Sequence, residues 1–267
     1  MNLTPTVASS VPTMNTPDAR TDTSSAVAST GRPIEGAVAL VSGANRGLGR
    51  HFAQQLLERG AAQVYAAARR PEEVDLPGVT PLRLDITDAD AVQRAAEALP
   101  DLTLLVNNAG ITRFTHLVTS DLADIRAEME TNFWGTLTMV RAFSPALANG
   151  GAVLNVLSAQ AWHPYPGTNG YHASKAAQWA LTNGVRTELA PRGTLVTALH
   201  LGATDTDFAA GYDGPKADPA VVARAGLDGV EAGAAEVLAD DWSRHVKASL
   251  VDDPTRLYGE IRLASRS

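Results

Sequence analysis

Three side chains in one short stretch have the types and the spacing for proton transfer. Ser158 follows an apolar run, Tyr171 comes thirteen positions later, and Lys175 four after that. Positions i and i+4 share a helical face. A helix opening at Tyr171 therefore brings the Lys175 ammonium near the phenol. A free phenol has a pKa of about 10, too high for proton transfer at neutral pH. A cation beside it favours the phenolate and lowers that value. A drop of about three units takes about 4 kcal/mol. One close cation in a partly dry site, helped by a second positive group, supplies that. Ser158 adds a hydroxyl that can hold a substrate oxygen. Together the three form a general acid/base site for a carbonyl or an alcohol. Each residue alone reads more plainly, as a strand-end serine, a packing tyrosine and a chance lysine, so the case rests on the surrounding chain.

That chain alternates strands and helices. Ala37 to Val41 is an apolar run that reads as a buried strand. It leads into Ser42-Gly43-Ala44-Asn45-Arg46-Gly47-Leu48-Gly49, after which Phe52, Leu56 and Leu57 recur at helical spacing. Glycines let the backbone approach a pyrophosphate, and the helix N-terminus offers free N–H groups. The spacing is G-x-x-x-G-x-G rather than the common G-x-G-x-x-G. Further strands are expected at 63–67, 80–84, 102–106, 152–157, 194–201 and 236–238. Helices are expected at 89–99, 120–147 and 171–189, from the Asp218-Pro219 start, and at 242–250. This pattern predicts a single-domain α/β fold: a doubly wound, Rossmann-type parallel sheet of about seven strands with helices on both faces.

The end of the second strand bears on the cofactor. An acid there would bond a ribose 2′-OH and favour NAD. Ala68 stands in that place and Arg69-Arg70 follow. Guanidinium groups suit a 2′-phosphate, and Arg46 in the glycine turn can approach the same group. The plainer reading is that these are solvated arginines. NADP(H) is preferred over NAD(H). Asn107-Asn108-Ala109-Gly110 ends the fourth strand, where small residues and amides suit a cofactor crevice. Asn132, between Met129 and Phe133, is costly if buried without a partner.

Bulk numbers narrow the classes. The chain has 267 residues, 45% hydrophobic, with 22 basic and 29 acidic side chains. That length supports one large core. No basic stripe invites nucleic acid, and no apolar run nears the roughly 20 residues of a membrane helix. There are no cysteines, which excludes disulfides and thiolate metal sites and fits a reducing compartment; the expected location is cytoplasmic. Residues 1–33 are rich in Ser, Thr, Ala and Pro. They cannot offset their ordering entropy by burial and read as a flexible tail, with a processed transit peptide as the alternative. Residues 34–267 form the expected domain.

The order and spacing of these motifs resemble the short-chain dehydrogenase/reductase family, over roughly 37–250, as an NADP-preferring member of carbonyl-reductase type. Gly43, Gly47 and Gly49, with Asn45, Arg46 and Leu48 between them, resemble its cofactor turn, with Ser42 for the usual Thr. Asp85 resembles the acid that bonds the adenine, with Ile86 beside it, and Asn107 to Gly110 resemble its N-N-A-G signature. Asn132, Ser158, Tyr171 and Lys175 fall where the family keeps its catalytic four. The resemblance implies that Tyr171 passes the proton and Ser158 positions the carbonyl. It implies that Lys175 lowers the phenol pKa and holds the nicotinamide ribose, and that Asn132 holds a water linking Lys175 to solvent. The implied cofactor contacts are the turn residues, Arg69, Asp85, Ile86, Asn108, Ala109, Gly110, Tyr171, Lys175, Gly202, Thr204 and Thr206. It further implies strand order 3-2-1-4-5-6-7 and a homodimer or homotetramer packed through the long central helices. One departure is Leu201-Gly202 where the family has Pro-Gly, which leaves that turn less rigid.

Gln160, Trp162, His163 and Phe208 are candidates for the substrate pocket, against ordinary loop packing, with Phe114 and His116 on the opposite wall. His200 reads as structural. The glycine-containing segment 208–217 reads as a lid or a plain surface loop. Asp205 and Asp207 read as turn and cap residues, and no metal is expected. The leading expectation is hydride transfer between NADP(H) and a small carbonyl or secondary alcohol. The rival is a cofactor-sensing protein of the same fold without turnover, which has no need of Tyr171. A dehydratase or epimerase of the extended relatives needs a larger C-terminal region than this chain has.

Overall fold

The computed structural model describes residues 30–253. Seven parallel strands form one sheet in the order β3-β2-β1-β4-β5-β6-β7. They are β1 Val38–Ser42, β2 Gln63–Ala68, β3 Thr80–Arg83, β4 Leu104–Asn107, β5 Ala152–Val156, β6 Leu195–His200 and β7 Glu236–Leu238. The helices are α1 Gly47–Glu58, α2 Ala89–Ala98, α3 Leu122–Met129, α4 Thr136–Phe143, α5 Asn169–Leu189, α6 Pro219–Glu231 and α7 Asp241–Ala248.

Both faces of the sheet are covered, so alternate residues of one strand enter different cores. Ala39 and Val41 of β1 join Val106, Leu154 and Leu199 beneath Phe52 and Leu56 of α1 and Val222 and Leu227 of α6. Leu40 joins Leu105, Val153 and Val196 beneath Val92 of α2, Met139 and Phe143 of α4, and Leu181 and Val185 of α5. Asp88 caps α2 through the Ala91 N–H, and Asp218 caps α6 through the Ala220 N–H. Each cap satisfies one of the amides that open a helix.

Three expectations shift. The long central helix is interrupted: between α3 and α4 the chain takes a π turn over Glu130–Gly135, which holds Asn132. Strand β5 ends at Val156, so Ser158 lies beyond it and caps a 3-10 turn over Ala159–Ala161. The flexible tail does not extend to residue 33. The Arg32 N–H donates to Val230 O, its guanidinium donates to Gly193 O at 2.7 Å, and Ile34 is fully buried. These contacts tie the segment to the end of α6 and to the turn before β6. The rest of the expected tail, 1–29, and residues 254–267 lie outside the described residues.

Candidate active site

The strand order reverses between β1 and β4, where successive connections leave on opposite faces. A crevice opens there beyond the carboxyl ends of the strands. It is a cavity of about 1300 Å³ walled by the glycine turn, the β2 and β4 ends, Ser158, Tyr171, Lys175 and the segment after β6.

The glycine turn fits a dinucleotide on two counts. Gly43 and Gly47 hold φ of +66° and +54°, the left-handed region open to glycine. A Cβ on Gly49 would lie 2.2 Å from Gly43 O and 2.6 Å from Asn108 Nδ2. Asn108 uses that amide to donate to Ser42 O at 2.9 Å and Gly43 O at 3.2 Å. The Ser42 hydroxyl accepts from the N–H groups of Asn108 and Ala109, each at 3.0 Å. Ser42 therefore does more than end a strand: it fastens the two strand ends that form the crevice. No side chain caps α1, so its opening N–H groups and partial positive charge are left for an anion.

At the β2 end, Ala68 is buried and Arg69 is exposed at the cavity rim. Arg70 pairs with Glu73 at 2.6 Å, and Asn45 Nδ2 donates to the same carboxylate at 2.9 Å. Arg46 reaches across the opening to Asp207 at 2.9 Å. The pair is well exposed, and such pairs are worth at most about 1 kcal/mol, so a phosphate can compete for Arg46. Asp85 accepts from the N–H and hydroxyl of Thr87, while Ile86 lines the cavity.

The three residues expected to transfer a proton line one cavity, with one correction to the expectation. Tyr171 lies in the first turn of α5, two residues past its start, and Lys175 follows on the same face with Nζ 5.7 Å from the phenol ring centre. The expected lowering of the phenol pKa does not occur in this state. Burial pushes Tyr171 above its ordinary value, and the Glu128 carboxylate adds to the rise, against a hydrogen bond with Ser158. Burial pushes the Lys175 ammonium down to about 7. The desolvation that makes a cation potent also penalises both charges, and it wins here. Lys175 Nζ donates to Val156 O at 2.9 Å and Gln178 Oε1 at 2.8 Å. The neutral phenol is the form that can give a proton to a carbonyl oxygen.

Asn132 is fully buried, and its partners resolve the cost of that burial. Its Oδ1 accepts from Ile111 N–H, and its Nδ2 donates to Ile111 O and Ser174 Oγ, at 2.8–2.9 Å. It thereby pins the chain after Gly110 to α5, behind the cavity wall. Glu128, missed at the sequence level, does similar work. Its carboxylate accepts from Arg113 N–H and Thr115 Oγ and fixes the loop facing Tyr171. Its signal was an acid on the inner face of a helix. The turn after β6 is also held without proline, because Gly202 N–H donates to Asp240 at 2.6 Å. Thr204 bridges to Ala217, so the intervening loop is fastened at both ends. Thr206 lies against Gly47.

Of the pocket candidates, Gln160 and Phe208 line the cavity, as does Phe114. Trp162 does not. It is buried against His200, ring centres 3.8 Å apart, in a small core with Trp179 and Val246. His163 lies between the rings of Tyr165 and Trp242, also off the wall. Tyr165, Tyr212 and Trp242 line it instead. Among the described residues no three potential metal ligands cluster, and no helix is long and apolar enough to cross a membrane.

His200 gives a stability prediction. It is fully buried, and burial holds its pKa down to about 3, against a hydrogen bond to Ser158 O. An unfolded histidine binds its proton near pH 6.5. Folding stability is therefore intact above that pH and is lost as pH falls from about 6.5 towards 3. In urea unfolding between pH 7 and 4, the His200→Gln variant is expected to lose less stability on acidification than wild type; parallel losses would contradict this.

A short chain dehydrogenase profile matches residues 37–215. The chain is 34% identical over 177 residues to an NADPH-dependent 1-acyldihydroxyacetone phosphate reductase of Schizosaccharomyces pombe, covering 62% of this chain and 60% of that protein's length. It is 32% identical over 181 residues to a serine 3-dehydrogenase of Agrobacterium fabrum, covering 63% and 72%. A solved short chain dehydrogenase from Burkholderia cenocepacia in complex with NADP superposes with a TM-score of 0.81 at 43% identity, covering 84% of this chain and 96% of that one.

Proposed function

The chain belongs to the short chain dehydrogenase family, and from that premise we propose that it transfers hydride between NADP(H) and a carbonyl or secondary alcohol. The observation that carries this reading is the convergence of Tyr171, Ser158 and Lys175 on the cavity that also holds the glycine turn. The NADP named in the Burkholderia structure and the NADPH named for the fission-yeast relative support the cofactor.

When bound, the nicotinamide supplies the hydride chemistry. The protein binds, orients and moves the proton. Gly43, Gly47 and Gly49 would let the backbone approach the pyrophosphate, which the α1 amides and Thr206 would hold. Arg69 and Arg46 would hold the 2′-phosphate. Asp85 and Ile86 would hold the adenine, with Asn108, Ala109 and Gly110 beside it. Gly202 and Thr204 would hold the nicotinamide end. Ser158 donates to the substrate oxygen, and Tyr171 gives that oxygen its proton in reduction and removes it in oxidation. Lys175 adds positive charge beside the phenol. All three line one cavity, and general acid catalysis needs the phenol within hydrogen-bond reach of the substrate oxygen there.

Phe208 stacks obliquely on Tyr171, ring centres 5.6 Å apart. With Tyr165 and Trp242 it favours an apolar substituent on the carbonyl. Mixing the protein with NADPH and a panel of aryl and alkyl ketones is expected to oxidise the cofactor. Binding without oxidation on every carbonyl would support a sensor instead. Phe208→Ala is expected to raise KM for aryl ketones about tenfold, from some 50 Å² of lost apolar contact, with kcat little changed; an unaltered KM would remove Phe208 from the pocket.

A further inference from the structure

Gln178 lies one turn beyond Lys175 on α5 and does not line the cavity. It is fully buried, as are Thr136 and Asn132. Its Nε2 donates to Thr136 Oγ1 at 3.0 Å, and that hydroxyl donates its one proton to Asn132 O at 2.9 Å. The hydroxyl can therefore only accept from the amide, which fixes the amide's orientation. Its carbonyl oxygen must point at Lys175 Nζ, 2.8 Å away. An ammonium carries three donors. Val156 O and Gln178 Oε1 take two, and both acceptors are fixed, one by the sheet and one by this relay. The third donor is left for the cavity that Lys175 lines.

We infer that Gln178 is a positioning residue, holding the Lys175 ammonium charged and aimed at the Tyr171 side of the cavity. The inference deepens the hydride-transfer reading and rests on it for its catalytic meaning. An acceptor is what a buried cation requires, because burial alone drives Lys175 towards neutrality. Other titratable groups face this pair. Tyr171 lies on the same helix, with Glu128 of α3 raising it further. His200 of β6 feels the Lys175 charge and stays neutral down to about pH 3. Burial disfavours the charged forms of Tyr171 and His200, and the labelled Lys175 carbon reports its own midpoint.

The chain has three lysines, so carbon NMR of Cε-labelled lysine reads Lys175 directly in the full protein without substrate or cofactor. Gln178→Met keeps the side-chain length and removes the strong acceptor. Gln178→Glu keeps an acceptor and adds charge. The Lys175 midpoint is expected to fall by about one pH unit in the first and rise by as much in the second, the shift that a hydrogen bond to a charged group corresponds to. The alkaline limb of kcat/KM should follow: activity is lost at lower pH in Gln178→Met and kept to higher pH in Gln178→Glu. Midpoints unmoved in both folded variants, or moved the same way, would overturn the inference and leave Gln178 a packing residue. Should one variant fail to fold, the direction of the other against wild type decides. Absence of turnover in wild type with opposed NMR shifts would remove the hydride-transfer reading and leave the clamp standing.

Discussion

Replacing Tyr171 by Phe is expected to lower kcat by about 10³-fold, within the span that general acid–base groups contribute. The substitution removes one oxygen and keeps the ring. The ring packs beside Phe208 and is almost wholly buried, so the shape of the wall survives. The lost hydroxyl is a group whose burial disfavours its charged form, and its removal carries no buried charge with it. The melting temperature should stay within a few degrees of wild type. Affinity for NADPH, read by quenching of tryptophan emission, should change less than tenfold, because the residues proposed to hold the phosphates lie elsewhere. A variant that unfolds would make Tyr171 a packing residue, and one that retains turnover would leave the proton to another group.

The second large effect is expected at the β2 end. The double substitution Ala68→Asp with Arg69→Ser should reduce the ratio of NADPH to NADH efficiency by about 10³-fold. The guanidinium lost is worth about 1.5–3 kcal/mol on a charged acceptor. The introduced carboxylate repels a 2′-phosphate and accepts from a 2′-hydroxyl. Arg46 is the weaker choice for this test because Asp207 already engages it. Cofactor efficiencies measured side by side decide the matter. An unchanged ratio would mean that Arg46 and Arg70 read the phosphate without Arg69.

Much of this was legible in the residues, and what was not has a physical reason. Buried parallel strands announce themselves as short apolar runs, and glycine turns as spacing, so the sheet and crevice could be read. The i, i+4 relation placed Lys175 beside Tyr171 on α5. Its electrostatic consequence could not be read, because the sign depends on a balance of charge and desolvation that only burial reveals. Asn132 stood out as a polar residue in an apolar helix. The π turn that admits it leaves no pattern in sequence. Trp162 follows Ser158 closely in the chain and was expected at the pocket, yet it turns away to stack on His200. A 3-10 turn reverses direction within three residues, so closeness in sequence does not predict which side a side chain takes. Gly202 was expected to sit in a looser turn for lack of proline. Asp240, nearly forty positions away, supplies the restraint, and contacts of that range follow from the fold.

The central claim is that one cavity brings a nicotinamide and a carbonyl together under the Tyr171 phenol. Reducing an aryl ketone with NADPH deuterated at the transferring position and weighing the alcohol by mass spectrometry tests it most directly. Deuterium on the carbinol carbon, formed by the wild-type chain and not by Tyr171→Phe, is the predicted result. Cofactor that binds while no deuterated alcohol forms from any ketone would contradict it.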